Sequence, residues 1–120
     1  MALKTENITF DTTDPEKLAE WWARALDGQV NPVAPPFFIV VSRPDGPGLA
    51  FQKVDDPTPG KNRVHVDLAA REPDAEIERL LGLGAELVDP RRDGAPAWRG
   101  REGIRWVVLR DTEGNEFCIG

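Results

Sequence analysis

Residues 110–119 read Arg110-Asp111-Thr112-Glu113-Gly114-Asn115-Glu116-Phe117-Cys118-Ile119. Preceded by an apolar run, this sequence is typical of a strand, an acidic Gly-Asn turn and a second strand. The only histidine of the chain lies in another alternating segment, Arg63-Val64-His65-Val66-Asp67-Leu68, on its polar side. The two patterns together predict that His65 and Cys118 meet within one sheet.

Composition narrows the classes of function that need to be considered. The chain has 120 residues, of which 40% are hydrophobic, and its formal net charge is −6. This length fits one compact domain, residues 1–120, and the acidic balance argues against a nucleic-acid partner. One cysteine cannot form an internal disulfide, and no apolar run is typical of a signal peptide or a membrane span. We therefore expect a soluble, cytoplasmic protein with neither a nucleic-acid nor a membrane partner.

The two halves of the chain begin with the same order of elements. Alternating residues 7–11 precede Asp14-Pro15-Glu16, which predicts a helix with an Asp N-cap and a proline at its first position. Alternating residues 65–68 precede Glu72-Pro73-Asp74 in the same way, and an offset of 58 residues separates Pro15 from Pro73. The sequence thus predicts an internal duplication.

Strand patterns follow each predicted helix. Gly28 and Gly84 are placed to end the helices, and apolar or alternating runs then occupy 29–33, 37–42 and 49–54 in the first half. The second half has corresponding runs at 85–88, 104–110 and 116–119, with an irregular loop at 90–103. The prediction is an α+β fold of two βαβββ modules, about 3–56 and 62–120, joined by a linker rich in proline and glycine. We expect a cupped mixed sheet with the helices on its outer face.

Alternation also predicts which side chains face the helices. Ile8 and Phe10 would pack beneath the first helix, and Val64, Val66 and Leu68 beneath the second. Asn7 and His65 would then lie on the opposite, concave face.

The duplicated plan, the strand-Asp-Pro-helix opening and the ending Trp106 to Cys118 resemble the vicinal oxygen chelate superfamily, and in particular its small glyoxalase-like proteins. That superfamily includes glyoxalase I, extradiol dioxygenases and bleomycin-resistance proteins. The resemblance implies four inward-facing ligand positions, which fall on Asn7, Gln52, His65 and Cys118. Metal-dependent members place His and Glu there. Two of the four positions here are neutral amides, which are feeble ligands for a transition metal. We therefore expect neither a functional metal nor another cofactor.

The expected function is that of a glyoxalase-like protein with a small-molecule pocket. It would bind or sequester a ligand, or catalyse a metal-independent proton transfer of the lyase or isomerase type with His65 as the base. The alternative is a metal-dependent lyase or isomerase that uses His65 with a non-standard ligand set. Bleomycin-resistance-like relatives imply a homodimer. The remaining candidate ligand-binding residues are Asn7, Gln52, Asp67, Trp98, Arg105, Trp106, Glu116 and Cys118.

Two of these candidates, Trp106 and Cys118, also have an ordinary structural interpretation. Trp106 is as consistent with a core residue as with a pocket rim, whereas Trp98 lies among arginines that suit a rim. Cys118 is most simply a small buried hydrophobic residue. It would become a nucleophile only if His65 lowered its pKa.

Overall fold

The computed structural model describes residues 3–88, 98–101 and 103–120. The chain forms two compact units, Met1–Thr58 and Pro59–Gly120. Each unit contains a mixed sheet and a helix. The first unit has βαβββ order, and the second has the same order with one additional short strand, which confirms the predicted α+β class and the duplication. Within the part of the chain that the structure describes, neither helix has the length and apolar character needed to cross a membrane.

The first unit contains one helix and a four-stranded sheet. Its elements are β1 (Asn7–Thr12), α1 (Pro15–Leu26), β2 (Gln29–Ala34), β3 (Phe38–Ser42) and β4 (Gly48–Lys53). The strand order is β1-β4-β3-β2, and β1 pairs in parallel with β4. The first and last strands of the unit are therefore neighbours, with β1 at the edge of the sheet and Asp11 opposite Gln52.

Helix α1 begins and ends for identifiable reasons. The carboxylate of Asp14 accepts a hydrogen bond from the Lys17 backbone N–H, and Pro15 occupies the first turn, where its missing N–H costs nothing. The helix buries one face, including Leu18 and Trp22, against the sheet. Its left-handed capping residue is Asp27, with φ of 52°, rather than the predicted Gly28.

Gly28 instead permits a close approach of the chain to β3. A Cβ atom at this position would lie 2.8 Å from Val41 Cγ1 and 2.9 Å from the backbone oxygen of Ser42. We expect Gly28→Ala to lower the free energy of unfolding by about 1–3 kcal/mol, because a backbone atom cannot move aside easily.

Urea unfolding checks this expectation, and Gly82→Ala provides the matched control. A Cβ at Gly82, the last residue of the second helix, would meet nothing within 4 Å. That substitution should leave stability unchanged or raise it by about 0.5–1 kcal/mol. Equal unfolding midpoints for the two variants would contradict the steric argument.

The second unit repeats the plan with shorter strands. Its elements are β5 (Asp67–Leu68), α2 (Pro73–Gly82), β6 (Glu86–Leu87), β7 (Arg99–Arg101), β8 (Ile104–Arg110) and β9 (Glu116–Ile119). The order is β5-β9-β8-β6, with β5 parallel to β9, and β7 pairs with the first part of β8. Strand β7 falls in the predicted loop 90–103, so that prediction was wrong at 99–101, while 90–97 and 102 lie outside the described residues.

The strand predicted over 63–68 is regular only at its end, in β5. Val64 is 77% exposed, so the prediction that it packs beneath the second helix was wrong, although Val66 and Leu68 are partly buried. The side chain of Asn62 explains why residues 63–66 do not form a regular strand. Asn62 accepts a hydrogen bond from the Glu116 N–H at 2.8 Å and donates to the Glu116 carbonyl at 2.9 Å, which takes the place of a strand partner on β9.

The turn between β8 and β9 has the predicted form. Asp111 is only 3% exposed, and its carboxylate accepts hydrogen bonds from the backbone N–H groups of Glu113 and Asn115, both at 2.9 Å. The Asn115 side chain donates to the same carboxylate, and Gly114 has a φ of 87°. These residues build the hairpin, in agreement with their predicted structural role.

Candidate functional site

A pocket of about 420 Å³ opens in the second unit. This volume lies within the range of small-molecule sites. Five of the predicted site residues contribute to its wall, namely His65, Asp67, Arg105, Trp106 and Cys118. The other lining residues are Leu68, Ala69, Ile104 and Gly120. The pocket therefore combines an apolar surface with a few ionisable groups.

The side chains of His65 and Asp67, two residues apart in the sequence, form a pair. Both side chains leave the segment 65–67 on the same side, and His65 Nε2 lies 3.2 Å from Asp67 Oδ1. The imidazole is 41% exposed and the carboxylate 78% exposed, so the pair contributes little to stability. Its effect is on orientation: a Nε2–H that donates to Asp67 leaves the lone pair on Nδ1, which can accept a proton.

Cys118 lies opposite Asp67 in the parallel β5–β9 pair. Burial raises the pKa of the thiol, and the charge of Asp67 and a hydrogen bond to its carboxylate raise it further. More distant Arg99 and Lys61 act in the opposite direction. The thiol is therefore held in its protonated form as a donor to Asp67, and the structure does not make it a thiolate nucleophile.

This arrangement predicts slow alkylation of Cys118. Because only the thiolate reacts, iodoacetamide should modify the protein more slowly than free cysteine at neutral pH, and the rise in rate should come at higher pH. Asp67→Asn removes the carboxylate charge and should speed the reaction. The measurement is a pH series of alkylation rates by mass spectrometry, in which Cys118 is the only thiol. An Asp67→Asn protein that reacts more slowly than wild type would contradict the assignment.

Arg105 and Trp98 contact each other through a cation and a ring. The Arg105 Cζ atom lies 4.5 Å from the centroid of the Trp98 ring, within the range of a cation–π interaction. Trp98 Nε1 in turn donates a hydrogen bond of 3.1 Å to Asp74, in the first turn of α2. By alternation the Arg105 side chain leaves β8 on the face of Val107 and Leu109, opposite to the face that Val108 shares with Cys118, so this pair lies on the other side of the sheet from Cys118.

The predicted site residue Glu116 is engaged elsewhere. Its side chain is only 12% exposed, and its oxygens lie 3.6 Å from an Arg110 nitrogen and 3.9 Å from Lys61 Nζ. The structure places Glu116 in an ion-pair cluster of the second unit, where its backbone also binds Asn62. This position indicates a structural contribution.

Asn7 and Gln52 lie in the first unit, on β1 and β4, and both residues are exposed. Asn7 is opposite Gly48, where a Cβ atom would lie 2.6 Å from Asn7 Oδ1, so the missing side chain makes room for the amide. The two amides belong to adjacent strands. Their sharing of one cavity with His65 stays a prediction.

The sequence of the chain was compared with models of known protein families. The model of the glyoxalase-like domain matches residues 7–120, which is nearly the whole chain. The chain belongs to the glyoxalase-like domain family. A comparison with curated protein sequences gives no significant match.

Solved structures show the same fold for this glyoxalase-like protein. A glyoxalase/bleomycin resistance protein/dioxygenase family enzyme from Burkholderia phytofirmans matches with a TM-score of 0.71 at 17% identity, covering 95% of this chain and 94% of that one. A glyoxalase-related enzyme from Fulvimarina pelagi matches with a TM-score of 0.73 at 19% identity, covering 97% and 86%. A member of the glyoxalase/bleomycin resistance protein/dioxygenase superfamily from Sphaerobacter thermophilus matches with a TM-score of 0.70 at 20% identity, covering 98% of this chain and 95% of that one. These similarities confirm the vicinal oxygen chelate fold.

The metal quartet that the fold implies does not fit this glyoxalase-like chain, because Asn7 and Gln52 supply amides at two of its positions. A different donor set does exist among the described residues. One ligand atom each from His65, Asp67 and Cys118 lies within 4.8 Å of the others. In a tetrahedral zinc site, bonds of about 2.0–2.3 Å hold ligand atoms closer together than this. His65 Nε2 and Asp67 Oδ1 are already 3.2 Å apart, so a small side-chain movement would be needed before the three groups could hold an ion.

Asn62 is the residue that the sequence argument missed. Its side chain donates to the backbone oxygens of Val64 and Glu116 and accepts from the Glu116 N–H, so it holds the segment that carries His65. An amide side chain has the same donor and acceptor as a peptide group, which explains this role. The only signal in the sequence was an asparagine directly before an alternating segment, which does not indicate its partner.

Proposed function

We propose that this glyoxalase-like protein binds a small molecule in the pocket of the second unit, and that His65 transfers a proton on the bound ligand. The observation that carries the proposal is the His65–Asp67 pair on the wall of the pocket. A carboxylate that orients an imidazole is a common arrangement for a general base. The reaction class is proton transfer of the lyase or isomerase type, and it requires only a base and an oriented substrate.

The same pocket also supports binding without chemistry, the second candidate. Its wall includes apolar Leu68, Ala69 and Ile104 and the Trp106 ring, which suit sequestration of a partly apolar ligand. On this alternative, Trp106 would contribute more to affinity than His65 does. We further propose, from the family resemblance and the single cysteine, that the protein acts as a homodimer in the cytoplasm.

The experiment is a ligand panel read by thermal shift and by the His65 imidazole resonances, because bound ligand raises the melting temperature. His65 is the only histidine, so its ring signals need no further assignment. We expect ligands that raise the melting temperature to shift those signals and to lose affinity in Trp106→Ala. A ligand that stabilises the protein without affecting His65 or Trp106 would move the site away from this pocket.

The metal-dependent alternative is tested separately. We expect protein purified without chelator to contain well under one equivalent of Zn, Ni, Mn or Fe, because two of the four family ligand positions are amides. Elemental analysis provides the measurement. One tightly held equivalent that is lost in both His65→Ala and Asp67→Ala would establish the non-standard donor set of His65, Asp67 and Cys118.

A further inference from the structure

The register of the second unit shows which side chains share the face that carries the pocket. Asp67 lies opposite Cys118 in the parallel β5–β9 pair. Ala69 and Gly120 each come two residues later, so by alternation they lie on the same face. Trp106 is the residue of antiparallel β8 that continues this row beside Gly120. All five residues line the pocket, in agreement with the register.

Ala69 and Gly120 leave a shallow slot beside the Trp106 indole, because neither residue has a side chain beyond Cβ. The Gly120 N–H donates to the Leu68 carbonyl at 2.9 Å, and a Cβ atom at Gly120 would lie 3.0 Å from the Arg105 backbone oxygen. Residue 120 is therefore held close to both neighbouring strands. The half-buried Trp106 forms one side of the slot. A flat ring fits against this indole in an offset or edge-to-face contact.

The polar end of the pocket offers acceptors to a ligand. His65 Nε2 lies 3.2 Å from Asp67 Oδ1, and the Cys118 thiol donates to the same carboxylate, so both donors of this cluster are used internally. A carboxylate has about four lone-pair sites. The Asp67 side chain is 78% exposed and therefore keeps acceptor sites that a ligand can reach. A ligand that complements this end carries a hydrogen-bond donor.

We propose that the ligand of this pocket is an aromatic compound with an O–H or N–H at the edge of its ring, that the ring occupies the slot, and that the edge donates a hydrogen bond to Asp67. This inference rests on the proposed function and names the class of ligand. It also assigns Ala69 as the residue that limits the size of the ring. A hydrogen bond to an ionised acceptor is among the strong ones, so the donor contributes selectivity as well as orientation.

The test of the donor uses two probes of nearly equal shape, indole and benzofuran, in which an oxygen atom takes the place of the N–H. Each is titrated into isotopically labelled protein, and binding is followed by the ring resonances of His65, the only histidine. We expect indole to bind about tenfold or more tightly than benzofuran, because only indole donates to Asp67. Benzofuran is the more apolar of the two, so the hydrophobic effect favours the opposite order.

Variants of Asp67 assign this preference to its carboxylate. Asp67→Asn keeps one acceptor oxygen but loses the charge, and it should reduce the ratio of the two affinities without abolishing it. Asp67→Ala should bring the ratio near one while benzofuran still binds. A merely structural effect of either substitution would weaken both probes together.

The slot is tested by Ala69→Leu. Ala69 is exposed, so a larger side chain fits there without a change in the core. Both probes should bind about tenfold or more weakly, with their ratio unchanged, because the leucine side chain takes the place of the ring. Ala75→Leu is the matched control, at an exposed position of α2 outside the pocket wall, and it should leave both affinities unchanged.

The outcomes separate the ligand class from the proposed function. Benzofuran binding to wild type as tightly as indole, an indole preference that survives Asp67→Ala, or unchanged affinities in Ala69→Leu would each overturn this inference. In those cases the shifted His65 resonances would still leave the pocket function standing. If neither probe shifts these resonances up to its solubility limit while another compound of the thermal-shift panel does, the ligand class alone falls. If no compound of the panel shifts them, the proposed function falls with it.

Discussion

Asp111→Ala is expected to lower the free energy of unfolding by about 2–4 kcal/mol. The carboxylate is 3% exposed and accepts hydrogen bonds from the backbone N–H groups of Glu113 and Asn115 and from the Asn115 side chain. Removing it leaves these donors without their partner at the turn that pairs β8 with β9. Since β9 also pairs with β5, the loss affects the strand that carries Cys118 and the segment that carries His65.

Urea unfolding followed by tryptophan fluorescence measures this loss. Thr112→Ala is the matched control, because Thr112 is exposed in the same turn and its change should stay within about 0.5 kcal/mol. Asp111→Asn should fall between the two, since an amide keeps one acceptor oxygen but loses the charge. If Asp111→Ala were no less stable than Thr112→Ala, the hydrogen bonds at this turn would have no net energetic role.

His65→Gln is expected to lower the turnover of a bound carbon acid by about 10²-fold or more while changing its affinity little. Glutamine retains polar atoms of similar reach but cannot accept a proton at neutral pH. A suitable probe is phenylpyruvate, whose benzylic protons are acidified by the adjacent carbonyl. The measurement is the rate of deuterium uptake at that carbon in heavy water, at saturating protein and in excess of the buffer-catalysed rate.

The control for this prediction is Trp106→Ala. Losing the ring should weaken binding of phenylpyruvate, while exchange at saturation should persist. Wild-type protein that binds the probe without accelerating exchange would show that the pocket sequesters rather than catalyses. A His65→Gln protein that exchanges the probe as fast as wild type would exclude His65 as the base.

The sequence predicted the features that depend on local pattern. Asp14, Pro15 and Pro73 mark the helix starts, and the alternation of apolar residues marks β1, β3 and β9, because capping and the two-residue period act over a few residues. The prediction that His65 and Cys118 share one face of a sheet also followed from alternation, and both side chains line the same pocket.

Other features depend on contacts between distant residues and carry no local signal. The side chain of Asn62 reaches Glu116, 54 residues away, and takes the place of the ladder bonds before Val66, whose carbonyl accepts from the Cys118 N–H. The contact of Trp98 with Asp74 likewise joins residues 24 apart. Alternation alone therefore predicted burial of Val64, whereas the absence of a strand partner leaves it exposed.

Because Asn62 holds the segment that carries His65, this part of the pocket wall is less stable locally than the strands β8 and β9. A strand in a sheet is held by a series of backbone bonds. The segment before β5 is held by the Asn62 amide, which makes two bonds to Glu116, and by one backbone bond of 3.0 Å from the Cys118 N–H to the Val66 carbonyl. We expect release of these three hydrogen bonds to cost about 1.5–4.5 kcal/mol, below the cost of global unfolding. We therefore expect the segment with the imidazole to open locally more often than β8 and β9 do, which would let a ligand enter without distortion of the sheet.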